Sequence, residues 1–262
     1  MRFRLKNGLS IGYKTRGRGS TIVLIPAIGC LKEMWDPVIA ELEDSYRCVA
    51  MEVRGHGESD VPGQPFDMDD LSDDVIEFVR AVGGGKAIVG GCSMGGQISQ
   101  GVGVKAPENL YGIFISNTGY LRNDKIRQVM EDRALAAEQG MSGPVSTTLN
   151  RWFDAEYQQK RPDHVKLAYD WLINADPIVH AWSWRAIKGL GYAERLKSLK
   201  VPALAIAGGH DQSSGANEVE AMAKALPNCM YRCCKDAGHL SPIEAPREYA
   251  GFLREFADQV TK

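Results

Sequence analysis

Several things are scarce in this 262-residue chain, and each scarcity excludes a class of function. No apolar run approaches the roughly 20 residues that a membrane-crossing helix needs, so no membrane partner is expected. Lys and Arg never gather into a block. They are scattered among acids, and the formal charge is only -2, which speaks against a nucleic-acid track. The six cysteines show no Cys-x-x-Cys spacing and no histidine at metal-ligand distance, so they read as reduced, mostly buried thiols. There is no His-Glu-x-x-His and no Walker loop, and Gly83-Gly84-Gly85 precedes a strand, the wrong order for a dinucleotide-binding turn. No metal and no cofactor are therefore expected. Residues 1–8 lack an apolar signal region and alternate like a first strand, which together with the cysteines points to a cytoplasmic protein.

What is present is enough for a core: 44% of residues are hydrophobic, suited to one α/β domain with an insertion. Short apolar or alternating runs predict strands at 2–5, 10–14, 21–26, 47–53, 86–90, 111–116, 201–207 and 230–234. Helical periodicity falls at 34–42, 69–82, 219–226 and 247–260. Strands alternating with helices imply a mostly parallel sheet covered on both faces. Between 120 and 190 the alternation stops. That stretch is helical in pattern and holds four of the five tryptophans, and we read 121–194 as a cap splitting a core of 1–120 and 195–262. Tyr120, Trp152, Trp182 and Trp184 are the candidate pocket walls, since such sites are concave and largely apolar.

The run Gly91-Cys92-Ser93-Met94-Gly95-Gly96 places one serine between glycines where an apolar strand meets a helix. By itself the pattern also fits a plain glycine turn. At a strand-turn-helix corner, however, the serine Oγ is pushed out of the sheet, and glycines let neighbouring backbone approach. The Met94 N–H then stands at a helix start, where it is free to stabilise an oxyanion.

An acid and a base follow in chain order. Asp211 lies just past the strand at 201–207, at the sheet edge whose loops carry chemistry in open α/β folds. His239, in Asp236-Ala237-Gly238-His239-Leu240, occupies the loop between the last strand and the final helix. Four other histidines compete, at 56, 164, 180 and 210. The order Ser93, Asp211, His239 is that of a hydrolytic triad in which imidazole takes the serine proton while the carboxylate holds its other nitrogen. A second oxyanion donor is expected from Ile28 in the loop Pro26-Ala27-Ile28-Gly29-Cys30; a plain connecting loop is the other reading.

On these residues the chain resembles the α/β-hydrolase superfamily along its whole length, and within it the 3-oxoadipate enol-lactone hydrolases and related carboxylesterases. Met34-Trp35-Asp36, Arg54-Gly55-His56-Gly57-Glu58-Ser59, the elbow at Ser93, Asn117-Thr118, Arg151-Trp152-Phe153 and Ala237-Gly238-His239-Leu240-Ser241 carry the likeness. The resemblance implies a mostly parallel eight-stranded sheet with a helical cap after the sixth strand. It also implies a small-molecule ester or lactone as substrate, cleaved through an acyl-enzyme. The same triad serves carbon-carbon bond hydrolases and perhydrolases, and the fold also hosts small-molecule receptors. One departure is notable: the lactonases tend to carry Asn-Ser-Leu-Gly where this chain has Pro26-Ala27-Ile28-Gly29. A carboxylated lactone would also need a pocket cation, for which Arg151, Arg185 and Lys188 are available, although each reads first as a solvated cap residue. The sequence leaves the oligomeric state open.

Overall fold

The computed structural model describes residues 1–262. Eight strands form one sheet, in the order β1-β2-β4-β3-β5-β6-β7-β8. They are β1 (Arg2–Arg4), β2 (Ser10–Arg16), β3 (Thr21–Ile25), β4 (Arg47–Met51), β5 (Ala87–Cys92), β6 (Leu110–Ser116), β7 (Ala203–Gly208) and β8 (Cys229–Cys234). β2 pairs antiparallel with β1 and β4, and every pairing from β4 to β8 is parallel. Strands buried on both faces favour unbroken apolar runs, which is why β3 continues from Thr21 as Ile-Val-Leu-Ile without alternation.

Helices cover both faces. The segment expected as one helix from 34 divides into a 3-10 turn at Lys32–Trp35 and α1 (Asp36–Leu42), where Pro37 suits the first turn because it has no N–H to leave unpaired. Helix α2 (Met68–Val82) starts on a reciprocal cap: Asp67 accepts from the Asp70 N–H and Asp70 from the Asp67 N–H. Its apolar stripe, Leu71, Val75, Phe78 and Val79, is buried. Helix α3 (Met94–Lys105) follows β5 directly. On the other side of the sheet, Trp35 meets Phe114 edge-on and packs against Tyr249 of α12 (Pro246–Val260). The Tyr249 hydroxyl donates to Ser116 Oγ, which donates to the Gly91 carbonyl, tying α12 through β6 to the end of β5.

Between β6 and β7 the chain makes only helices: α4 (Asp124–Glu138), α5 (Ser142–Trp152), α6 (Ala155–Lys160), α7 (Pro162–Ile173), α8 (Pro177–Lys188) and α9 (Ala193–Leu196). Asn123, Asp154 and Asp176 cap α4, α6 and α8 with side-chain oxygens, so these helices begin where local chemistry dictates. Helix α4 is bound to α8 by Glu131, which accepts from both Arg185 and Lys188. Helices α10 (Ala216–Ala225) and α11 (Ser241–Glu244) complete the order, and none of the helices is long and apolar enough to cross a membrane.

Candidate active site

Three loops at the carboxyl ends of β5, β7 and β8 bring Ser93, Asp211 and His239 to one sheet edge. Ser93 sits at the β5–α3 corner with φ 54°, a left-handed conformation that is strained for a residue with a Cβ. Two glycines make that corner possible. A Cβ on Gly91 would lie 2.3 Å from the Ile25 carbonyl oxygen, and one on Gly95 would lie 2.2 Å from the same atom.

Asp211 and His239 are both buried, and the imidazole Nδ1 lies 2.8 Å from Asp211 Oδ2. An ionised carboxylate only accepts, so Nδ1 carries the proton and Nε2 keeps its lone pair. Oδ1 of Asp211 accepts from the backbone N–H of Ser213 and Ser214, at 2.7 and 3.0 Å. The His239 loop is held from every side. Its own N–H donates to the Trp152 carbonyl, and the indole of Trp152 stacks on the ring at 6.0 Å and 22°. The Glu244 carboxyl accepts from the N–H groups on either side of it, Gly238 at 2.9 Å and Leu240 at 3.0 Å. Burial pushes this carboxyl up to about 8 even though both donors pull it down.

Asn117, the second non-glycine residue at positive φ, links these loops. Its Nδ2 donates to the Gly238 carbonyl at 3.1 Å and, more weakly, to Asp211 Oδ2 at 3.4 Å, while its Oδ1 accepts from Ser241 Oγ.

The loop after β3 singles out one N–H. That of Ala27 reaches Met34 Sδ, that of Gly29 the His56 Nε2, and that of Cys30 the Ala27 carbonyl, whereas the Ile28 N–H has no partner. Met94, as the first residue of α3, likewise has no acceptor one turn earlier in its helix. Ile28, Ser93 and His239 line a single cavity of about 370 Å³.

The other histidines are engaged elsewhere. His56 accepts from Gly29 and is kept neutral by burial, and His180 accepts from Trp184 Nε1, with burial lowering it to about 3. His164 meets Tyr157, and His210 meets Asp154. Cys30 and Cys92 are buried, free thiols whose pKa burial raises, so neither is a thiolate beside the serine. No group of three or more His, Cys, Asp or Glu side chains is arranged to hold a metal ion.

Of the tryptophans expected at the pocket, Trp152 and Trp184 line it. Trp182 and Tyr120 do not. Trp182 is two residues from Trp184 on α8, hence about 200° round the helix, and meets Phe66 edge-on instead. Tyr120 packs against the core while its neighbours Thr118 and Gly119 face the cavity. The three available cations divide. Arg185 and Lys188 are spent on Glu131 and Glu138, whereas Arg151 lines the cavity with Arg122, Lys125 and Arg133, which sequence reasoning missed.

A family model described as alpha/beta hydrolase fold matches residues 20–246. The chain belongs to the α/β-hydrolase fold family. This α/β-hydrolase is 28% identical to an (E)-2-((N-methylformamido)methylene)succinate hydrolase of Acinetobacter baylyi, over 94% of this chain and 93% of the relative. It is also 28% identical to 3-oxoadipate enol-lactonase 1 of the same organism, over 96% and 94%. Among solved structures, the enol-lactonase of Burkholderia xenovorans superposes with a TM-score of 0.92 at 25% identity, covering 98% of this α/β-hydrolase and 100% of that chain.

Proposed function

We propose that this α/β-hydrolase cleaves a carboxylic ester or lactone through an acyl-enzyme. The observation that carries the reading is the Asp211–His239 hydrogen bond, whose imidazole shares one cavity with a serine on a strained corner. In this reading His239 Nε2 takes the proton from Ser93 Oγ as the oxygen attacks the substrate carbonyl. The Ile28 and Met94 N–H groups receive the developing oxyanion, and neither is spent on a protein acceptor. Asp211 holds the imidazole in the tautomer that accepts at Nε2 and stabilises its cation. The tetrahedral adduct collapses, His239 returns the proton to the leaving alkoxide or enolate, and water deprotonated by the same nitrogen then frees Ser93. Residues 121–194 serve as the cap over this centre, contributing Trp152 and Trp184 to its wall.

The named relatives act on an enol-lactone and on a substituted methylene succinate, and these activities support hydrolysis as the common element. The test is a panel of aryl esters and lactones graded by acyl size, measured with the wild type and Ser93→Ala. Multiple turnover that disappears in the variant supports the reading, and turnover that survives removes it. Product analysis with a diketone separates carbon-carbon cleavage from ester cleavage.

A further inference from the structure

The loop that carries Ile28 meets two imidazoles at Gly29. From the loop after β4, His56 Nε2 accepts from the Gly29 N–H at 3.1 Å, and His56 Nδ1 lies 3.2 Å from the Arg54 carbonyl, which fixes its tautomer. The second imidazole comes from α8. A Cβ on Gly29, whose φ is 71°, would lie 2.7 Å from Leu172 Cδ2 of α7 and 3.3 Å from His180 Cε1, so both side chains rest directly on this glycine. The residue before His180 does the same to a neighbouring turn, since a Cβ on Gly55 would lie 2.4 Å from Val179 Cγ1. The start of α8 therefore packs against the loop after β3 and the loop after β4 together.

His180 is more than a core filler. It is 2% exposed, and burial first and the nearby His56 second lower it to about 3, so the ring is neutral. Its Nε2 accepts from Trp184 Nε1 at 3.1 Å, which leaves the proton on Nδ1, and no acceptor meets that nitrogen. A buried donor without a partner is destabilising, and an apolar side chain would avoid the penalty. What the imidazole adds is an acceptor for Trp184, one turn further along α8. That bond sets the orientation of the ring on Gly29 and joins it to a residue in the wall of the Ser93 cavity.

Resting on the acyl-enzyme reading above, in which the Ile28 N–H stabilises the oxyanion, we infer that His180 is a positioning residue for that donor. Locked by Trp184, the ring bears on Gly29, whose N–H is held by His56, and the loop keeps the Ile28 N–H in place without His180 touching substrate. One helix then carries part of the substrate wall, at Trp184, and the support of the oxyanion hole, at His180. Stabilisation of an oxyanion depends steeply on donor position, and a shift of about 1 Å caused far from the chemistry can lower a rate by about 100-fold.

The experiment compares the wild type, His180→Leu and His180→Gln on an aryl ester. Inhibition by phenylboronic acid is measured alongside, because its tetrahedral adduct with Ser93 puts an oxygen where the oxyanion forms. His180→Leu is expected to lower kcat by about 10- to 100-fold while KM moves by less than about threefold, and to weaken boronic acid inhibition by a similar factor. His180→Gln, whose side-chain carbonyl accepts from the Trp184 N–H, recovers part of both. A purely structural role would lower the thermal midpoint and leave kcat and boronic acid affinity of the folded enzyme alone. Unchanged kcat, or a loss confined to KM, overturns the inference. Should His180→Leu lack a cooperative thermal transition, Trp184→Phe decides, since it keeps an aromatic ring in the wall and removes the indole N–H. There kcat and boronic acid affinity must fall together, and unchanged values overturn the inference. Hydrogen exchange of the peptide covering residues 27–30 tells the two readings apart. Faster exchange in His180→Leu, without any Ser93-dependent turnover in the wild type, keeps the support of the loop and removes the acyl-enzyme reading. Ser93-dependent turnover with a kcat indifferent to His180 does the reverse.

Discussion

Nδ1 of His239 lies 2.8 Å from Oδ2 of Asp211, with both side chains shut away from solvent. Water therefore does not compete for that bond, and the carboxylate fixes which ring nitrogen keeps its lone pair. Asp211→Asn is expected to lower kcat by about 10³- to 10⁴-fold, because an amide can present an N–H and stabilise the wrong tautomer. Steady-state kinetics on an ester that the wild type turns over checks this, and a fall under tenfold contradicts it.

In the proposed mechanism Ser93 and His239 act on one proton, so their losses should not add. Ser93→Ala and His239→Ala should each reduce kcat by at least about 10⁴-fold, and the double variant should be no worse than either alone. A double variant showing the product of the two single losses would mean that the residues act independently.

Stability should fall with pH over a window set by Glu244. Its carboxyl is pushed up to about 8 by burial, against roughly 4.3 for an exposed glutamate. Between those values the folded protein holds a proton that the unfolded chain has released. The stabilisation from this group is complete below about pH 4.3 and is lost as pH rises through 8, with a slope of at most about 1.4 kcal/mol per pH unit. Urea unfolding at a series of pH values should show that decline in the wild type and a flatter curve in Glu244→Gln. Parallel curves would show that Glu244 does not titrate in this range.

Gly95→Ala places a methyl 2.2 Å from the Ile25 carbonyl oxygen, which belongs to the backbone of a buried strand and has nowhere to move. The expected cost is about 3 kcal/mol or more, read as a lowered midpoint in thermal or urea unfolding. A midpoint within a degree of the wild type would place the corner differently.

The parts of the fold set by burial on two faces were legible in sequence. Residues 22–25 are apolar at every position because both sides of β3 are covered, and the glycines around Ser93 announce the close approach of β3 that the structure shows. The closeness of the loops that carry Asp211 and His239 was legible too, because a parallel β7–β8 pairing places the segments after both strands at one sheet edge. The helical insertion was harder to read. Trp182 and Trp184 belong to one run of four residues, and only the register of α8 decides that one faces Phe66 and the other the cavity. Arg133 continues a stripe whose other members are apolar, a pattern visible only once α4 is treated as a helix with an inward face. Glu244 left a fainter signal, a carboxylate at the end of the short turn Ser241-Pro242-Ile243-Glu244, and its role depends on backbone N–H groups that no side-chain pattern reports.

An acyl-enzyme mechanism requires that Ser93 Oγ become covalently acylated. Mass spectrometry of the protein trapped with an aryl phosphonate, followed by peptide mapping, reads out whether Ser93 Oγ is the reacting atom. One adduct per chain is expected, located on Ser93 and absent from Ser93→Ala and from the wild type pre-incubated with a slowly hydrolysed ester. An adduct on another residue, or equal labelling of Ser93→Ala, would contradict it.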